Sequence, residues 1–320
     1  MAPRVSVVIP ARNEAQHIEA CVRSVLAQEV DAEYEVIVVD GESEDGTAEL
    51  ARRAGARAVS NPERTTPAAL NRGLDAAQGE ILVRFDAHGE MPQGYLAASL
   101  RALEEEPRAV NVGGWCDVQG TGGWGRATGE ALRSRLGVGN PRIWKRPPSG
   151  EGRREVDTVH FGCFRTETLR RLGGWRRDLL RNQDFELNQR LRDGGGRVVF
   201  DPEIWSVYRP RESLGGLAGQ YFGYGRHKAR MLASAPHSLR PRQLAPVGLL
   251  AVAVAAAGPR PLAAPARAAL GLYGLVLAGA SVRSEEGWRT GVVLGTMHLC
   301  WAAGLVAGGI SELTHRRRGA

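Results

Sequence analysis

The chain has 320 residues, 43% of them hydrophobic and 24% charged, a balance that excludes a disordered or collagen-like protein. Its four cysteines, Cys21, Cys116, Cys163 and Cys300, are widely spread and form no Cys-x-x-Cys pair, which argues against a disulfide framework or a zinc ribbon. The formal net charge of +7 is concentrated late: from residue 241 onward eight arginines face three acids, beside long apolar stretches, a pattern that points to a membrane and not to nucleic acid.

The opening residues run straight into Val5-Ser6-Val7-Val8-Ile9, a short apolar run ended by Pro10 that reads as a buried strand. No cleavable leader precedes it, so this part is expected to stay in the cytosol. Ile18, Cys21, Val22, Val25 and Leu26 then share one helical face. Glu35–Val39 predicts a second strand, residues 47–54 a short helix, and residues 56–60 a third strand. Residues 67–77 predict a helix with Pro67 near its first turn, and Ile81–Phe85 a fourth strand. This alternation argues for a largely parallel sheet with helices on both faces. Beyond it, residues 109–118 and 197–200 read as strands and 184–193 as a helix, while 110–160 is otherwise rich in Gly, Trp, Pro and Arg.

The tail changes character. No charge falls between Arg242 and Arg260, between Arg267 and Arg283, or between Arg289 and Glu312. The last gap, 22 residues, is long enough to cross about 30 Å of hydrocarbon. Two domains are therefore expected: residues 1–238, and a hydrophobic region 239–320 with two or three membrane helices near 244–258, 266–282 and 290–311. Three spans would put Arg316, Arg317 and Arg318 opposite the first domain, against the positive-inside rule; two spans and one interfacial helix would not. Both counts stay open.

Asp40 and Asp86 each follow an apolar strand directly. On parallel strands both carboxylates emerge at the carboxyl edge, where open α/β folds bind ligands. A turn role for Asp40 before Gly41 is the competing reading. In Asp86-Ala87-His88, a carboxylate and an imidazole two residues apart on extended chain point the same way and suit one Mg²⁺ or Mn²⁺ ion completed by phosphate oxygens. Asp184 and Glu186 sit at the start of a predicted helix, where capping explains acids equally well. Gly120-Thr121-Gly122-Gly123-Trp124-Gly125 has dinucleotide spacing without the strand-turn-helix setting. The seven histidines show no zinc-ligand spacing.

In order and spacing these residues resemble the inverting family 2 glycosyltransferases, which have a GT-A fold. Residues 5–14 resemble their first strand and nucleotide-contacting turn, residues 38–47 the end of their base-reading strand, and Asn61–Arg64 with Ala68–Gly73 the stretch facing the diphosphate. Asp86-Ala87-His88 stands where the family usually has Asp-x-Asp, and Asn182-Gln183-Asp184 where it usually has an acid pair. Thr158–Gly162 and Gln220–Gly225, followed by the apolar tail, are most similar to membrane-associated exopolysaccharide glucosyltransferases of the succinoglycan type.

The resemblance implies a GT-A domain with a mixed, mainly parallel sheet, a nucleotide-diphosphate sugar donor such as UDP-glucose, and a divalent cation, Mn or Mg. It implies an acceptor linked to lipid, and a multi-pass protein of the inner membrane with its catalytic domain in the cytoplasm. It assigns Asp184 as the base and Asp86 with His88 as cation ligands. Pro10, Ala11, Arg12, Glu14, Asp40, Arg64, Asn71 and Asp86 fall on the donor side, and His160, Gly162, Gln220, Arg226 and Lys228 on the acceptor or diphosphate side. His88 and Gln183 depart from the pattern, each removing one negative charge. The segment from Gln220 lacks the Arg and Trp of the family's Gln-x-x-Arg-Trp motif, which speaks against processive synthesis. A sugar nucleotidyltransferase and a catalytically inactive nucleotide-binding scaffold subunit are the alternatives.

Overall fold

A computed structural model describes residues 3–138 and 141–319; residues 1, 2, 139, 140 and 320 lie outside it. Eight strands form one sheet: β1 (Val5–Ala11), β2 (Tyr34–Asp40), β3 (Arg57–Ser60), β4 (Ile81–Arg84), β5 (Ala109–Val118), β6 (Arg154–Glu155), β7 (Cys163–Arg165) and β8 (Arg197–Tyr208), in the order β3-β2-β1-β4-β7-β5-β8-β6. The pairs β1–β2, β1–β4 and β2–β3 are parallel. β7 runs antiparallel to both β4 and β5, and β6 antiparallel to β8. The sheet is thus mixed, and its parallel half is the part that the strand-helix alternation predicts. The helices are α1 (Ile18–Leu26), α2 (Thr47–Arg53), α3 (Thr66–Ala76), α4 (Tyr95–Glu105), α5 (Gly123–Arg133), α6 (Arg135–Val138), α7 (Thr166–Arg171), α8 (Gln183–Asp193), α9 (Leu214–Ser234), α10 (Leu244–Ala256), α11 (Arg260–Val282) and α12 (Trp288–Gly319).

Contacts divide the chain into two units, residues 1–117 with 145–208, and residues 118–144 with 209–320. In the first, the period of the strands sorts side chains to two faces. Val5, Val7, Ile9, Val36, Val38 and Val83 pack with Ile18, Val22 and Val25 of α1 and Leu96 and Leu103 of α4. Val8, Ile37, Val39 and Leu82 pack with Leu70 and Leu74 of α3, Leu187 and Leu191 of α8, and Trp175. Burial on both faces explains why these strands read as continuous apolar runs and not as alternating ones.

β8 runs eight residues past the expected end at Phe200. The Asp201-Pro202 pair reads as a breaker in sequence. In the fold the Asp201 carboxylate accepts from Glu203 N at 2.8 Å and from Arg153 Nε at 2.5 Å, while the Pro202 carbonyl accepts from Trp115 Nε1 at 3.2 Å. Those bonds replace the ladder contacts that proline cannot make.

In the second unit α9 lies along α12 with backbone approaching backbone. A Cβ on Gly225 would meet Trp301 O at 2.0 Å, and one on Gly304 would meet Phe222 O at 2.0 Å. Arg230 Nε pairs with Glu312 at 3.0 Å. Two helices, α11 and residues 288–314 of α12, are long and apolar enough to cross a membrane, whereas α10 with 13 residues is too short. Glu212 accepts from the backbone N–H groups of Thr121 and Gly122, both at 2.8 Å, so the glycine-rich loop before α5 holds a carboxylate of its own chain.

Candidate active site

In the first unit the carboxyl ends of β1, β2 and β4 open onto a cavity of about 290 Å³. Pro10, Ala11, Arg12 and Glu14 form one wall, Gly41, Asn61 and Arg64 another, and Arg84, Asp86, His88 and Gln183 a third. The turns after β1 and β2 are laced together. Asn13 N donates to Ser43 Oγ at 2.8 Å, Glu14 N to Thr47 Oγ1 at 2.8 Å, and Ala15 N to Asp45 Oδ2 at 3.0 Å. Asn13, Glu42, Arg64, Phe161 and Asn182 all have φ between 53° and 61°. Each lies in a loop that leads to a strand end or helix start around this cavity or its floor. Left-handed backbone at non-glycine residues costs energy and clusters where a site dictates the chain path.

Asp86 and His88 both line this cavity, carried on a turn closed by Gly89 N donating to Asp86 O at 3.0 Å and not on the extended chain the spacing suggests. Burial favours the neutral form of Asp86, but Arg84, His88 and His160 outweigh it and hold its carboxyl below the usual range. His88 Nδ1 is 3.6 Å from Glu14 Oε1. Among the described residues no three His, Cys, Asp or Glu side chains make a closed cation cage. An ionised carboxylate and an imidazole on one cavity wall nevertheless fit a cation that takes its remaining ligands from a diphosphate and water.

Sequence reasoning missed the residue that joins this wall to α8. Arg84 is the last residue of β4, with its side chain 7% exposed. Its Nη2 lies 3.0 Å from Asp86 Oδ1, and its Nη1 pairs with Asp184 Oδ2. The signal was available: a charge inside the apolar run Ile81–Phe85 must have a buried partner. Trp175 Nε1 donates to the other oxygen of Asp184 at 3.1 Å. Asp184 is therefore held from both sides in the first turn of α8, behind Asn182 at φ 61°.

Other expected residues stand differently. Asp40 is buried at the end of β2 and accepts from Ser43 N at 3.0 Å and Ser43 Oγ at 2.6 Å, so its carboxylate is the turn acceptor here. Arg64 lines the cavity while its guanidinium holds Glu42 at 2.6 and 2.8 Å. Asn71 bonds to backbone. Its amide nitrogen donates to Trp175 O at 2.7 Å and its amide oxygen accepts from Trp175 N at 2.8 Å, so both functions are spent fixing the Trp175 loop to α3.

His160 lies with Nδ1 3.3 Å from Ser206 Oγ and its ring 3.9 Å from that of Phe161. Burial pushes its pKa down to about 4, so the imidazole is neutral. Gly162 acts through its backbone: at φ 115° its carbonyl accepts from Arg84 N at 3.1 Å. In the second unit Gln220 Nε2 donates to Tyr224 OH at 2.9 Å, and Arg226 is exposed on α9. Lys228 is buried, its ammonium donates to Ser238 O at 2.8 Å and Ser238 Oγ at 3.1 Å, and burial lowers its pKa to about 8.

The family description glycosyl transferase family 2 matches residues 6–172. The succinoglycan biosynthesis protein ExoA of Rhizobium meliloti is 32% identical over 317 residues, covering 93% of this chain and 92% of that protein. A Methanococcus voltae enzyme, dolichyl N-acetyl-alpha-D-glucosaminyl phosphate 3-beta-D-2,3-diacetamido-2,3-dideoxy-beta-D-glucuronosyltransferase, is 26% identical over 71% of this chain and 74% of its own length. Among solved structures, the mannosyltransferase PcManGT from Pyrobaculum calidifontis, in complex with GDP-Man and Mn2+, superposes with a TM-score of 0.68 at 25% identity, covering 96% of this chain and 87% of that one.

Proposed function

This chain belongs to glycosyl transferase family 2, and from that membership we propose that it moves a sugar from a nucleotide-diphosphate donor, UDP-glucose first, to a hydroxyl of a lipid-linked acceptor in exopolysaccharide or cell-envelope glycan synthesis. The observation that carries this reading is the single cavity joining the β1 turn, Asp86, His88 and the start of α8 at the carboxyl edge of the parallel strands. The relative named for a dolichyl phosphate sugar supports a lipid-linked acceptor.

In the proposed mechanism Asp184 accepts the proton of the acceptor hydroxyl as its oxygen bonds to the anomeric carbon. The bond from that carbon to the diphosphate breaks on the opposite face, and the nucleoside diphosphate leaves with the electron pair. One displacement inverts the centre, so an α-linked donor yields a β-glycoside. Asp86 and His88 would hold a divalent cation, which when bound neutralises charge on the leaving diphosphate. Arg12 and Glu14 line the donor side. Asp40 reads the base once Ser43 yields its hydrogen bonds.

Helices α11 and α12 anchor the protein in the inner membrane as a multi-pass chain, with the catalytic unit on the cytoplasmic face where activated sugars are made. Anchoring enzyme and acceptor in one plane raises their effective concentration.

A donor screen tests the reading. UDP-glucose, UDP-galactose and GDP-mannose are offered with and without Mn²⁺, in the presence of membrane lipid extract, and release of UDP or GDP is followed. Lipid-dependent release of UDP supports the proposal. A GDP-mannose preference, which the similar complex with GDP-Man favours, replaces the donor but keeps the reaction. Nucleotide binding without any release would favour the inactive scaffold, an alternative that Gln183 and His88 keep in view.

A further inference from the structure

We propose that Arg84 is a positioning residue that sets the spacing between the donor-side carboxylate Asp86 and the acceptor-side carboxylate Asp184, so that occupancy at one is felt at the other. The proposal rests on the reading above, in which Asp86 faces the donor and Asp184 the acceptor hydroxyl.

The geometry carries it. A guanidinium is a rigid planar fork whose two Nη groups point to different partners. In Arg84 one branch meets Asp86 Oδ1 at 3.0 Å and the other meets Asp184 Oδ2. The two carboxylates come from different elements, a loop after β4 and the first turn of α8, nearly a hundred residues apart in sequence. The Arg84 backbone is fixed as well: Arg84 N donates to Gly162 O at 3.1 Å, and the guanidinium carbon lies 5.8 Å from the Phe161 ring centroid. Nature's cheaper solution for Asp86 alone would be a surface cation. Burying a guanidinium costs several kcal/mol unless paired charges and hydrogen bonds offset the lost hydration. Tying two functional carboxylates to one point is a return that a single ion pair would not give.

The far side of Asp184 supplies a reporter. Its Oδ1 accepts from Trp175 Nε1 at 3.1 Å, and Trp175 is buried and held by Asn71. Any movement of Asp184 alters the indole hydrogen bond, whether or not turnover occurs.

The experiment uses the full chain in detergent micelles, labelled with 5-fluorotryptophan, with the Trp175 resonance assigned by Trp175→Phe. Arg84→Lys keeps the charge but cannot fork. The expected result is a donor KM within about threefold of wild type, a kcat lower by at least about tenfold, and a displaced Trp175 resonance. A kcat and a resonance both matching wild type would overturn the proposal. Should Arg84→Lys not fold, as judged by collapsed dispersion of the fluorine spectrum, wild-type protein decides. Adding UDP and Mg²⁺, or GDP and Mg²⁺ for a guanine-selective site, should move the Trp175 resonance, and Asp184→Asn should abolish that response. A bound nucleotide that leaves the resonance in place overturns the proposal. Wild-type transfer with an indifferent Arg84 sinks the positioning role alone, whereas binding of neither nucleotide and transfer from no donor sinks the transferase reading and this one with it.

Discussion

Asp184 lies between two fixed donors, Arg84 and Trp175, and this confinement makes it a testable base. Asp184→Asn keeps the size but removes the proton acceptor, and its amide can accept from only one of the two donors, Arg84 or Trp175. Nucleotide binding, measured by calorimetry, should persist while turnover falls at least about a hundredfold. Near-normal turnover would remove Asp184 from that role. His88 supplies a second test. His88→Ala takes one donor from the proposed cation pair, and the Mn²⁺ concentration for half-maximal activity should rise about tenfold, in the range seen when a ligand shell is weakened. An unchanged Mn²⁺ requirement would leave Asp86 as the whole protein contribution. His160 gives a pH signature. Burial keeps its imidazole neutral down to about 4, whereas in the unfolded chain it protonates near 6.5. The unfolded state thus takes up the proton first, so this contribution to stability is complete above 6.5 and is lost as pH falls toward 4. Thermal unfolding of His160→Asn should show a flatter pH dependence than wild type across that interval.

Between β6 and β7 the segment reaching Gly162 turns on backbone conformation. Phe161 and Gly162 are successive left-handed residues, and a Cβ at Gly162 would stand 2.6 Å from Asn111 Oδ1 and 2.6 Å from the Phe164 ring. Gly162→Ala must therefore displace the carbonyl that receives Arg84 N. We expect destabilisation of at least about 1 kcal/mol in denaturant titration, with turnover reduced alongside it. Equal stability would mean that the bend relaxes without strain. The bend brings the Gly162 carbonyl to Arg84 N, so what Gly162 contributes here is a path for the chain and not a side chain. Asn71 shows the opposite case. A polar residue in a family-like stretch serves helix-to-loop packing, since its two amide functions match the N–H and C=O of Trp175.

Taken whole, the chain couples an α/β catalytic unit with a helical unit whose apolar faces are largely exposed. Leu272 and Leu275 of α11 are 65% and 70% exposed, which water does not tolerate over a long helix but lipid does. Full-length protein should stay in the membrane pellet after alkaline carbonate extraction; recovery in the supernatant would refute integral insertion. Gly304→Leu should also fail to yield folded protein in detergent, because any side chain there collides with the Phe222 carbonyl. Retention of a normal melting transition would show that α9 and α12 can separate.

Much of this was written along the chain. Apolar strands alternating with helices specify a buried, mainly parallel sheet, because burial on both faces and a 3.6-residue helical period leave direct marks on residue order. Asp86 and His88 share a cavity wall, but by another route than the extended chain the i, i+2 spacing suggests: Gly89 N donates to Asp86 O at 3.0 Å and closes a turn there. The tail's two later charge-free gaps announced α11 and α12, helices long and apolar enough to cross a membrane. What no local pattern encodes is partnership across distance. That Arg84 meets Asp184, that Lys228 is consumed by Ser238 and that Asn71 clamps Trp175 follow from which surfaces the fold presses together. A side chain's role there depends on the hydrogen-bond partner it finds after burial, and only three-dimensional packing chooses that partner.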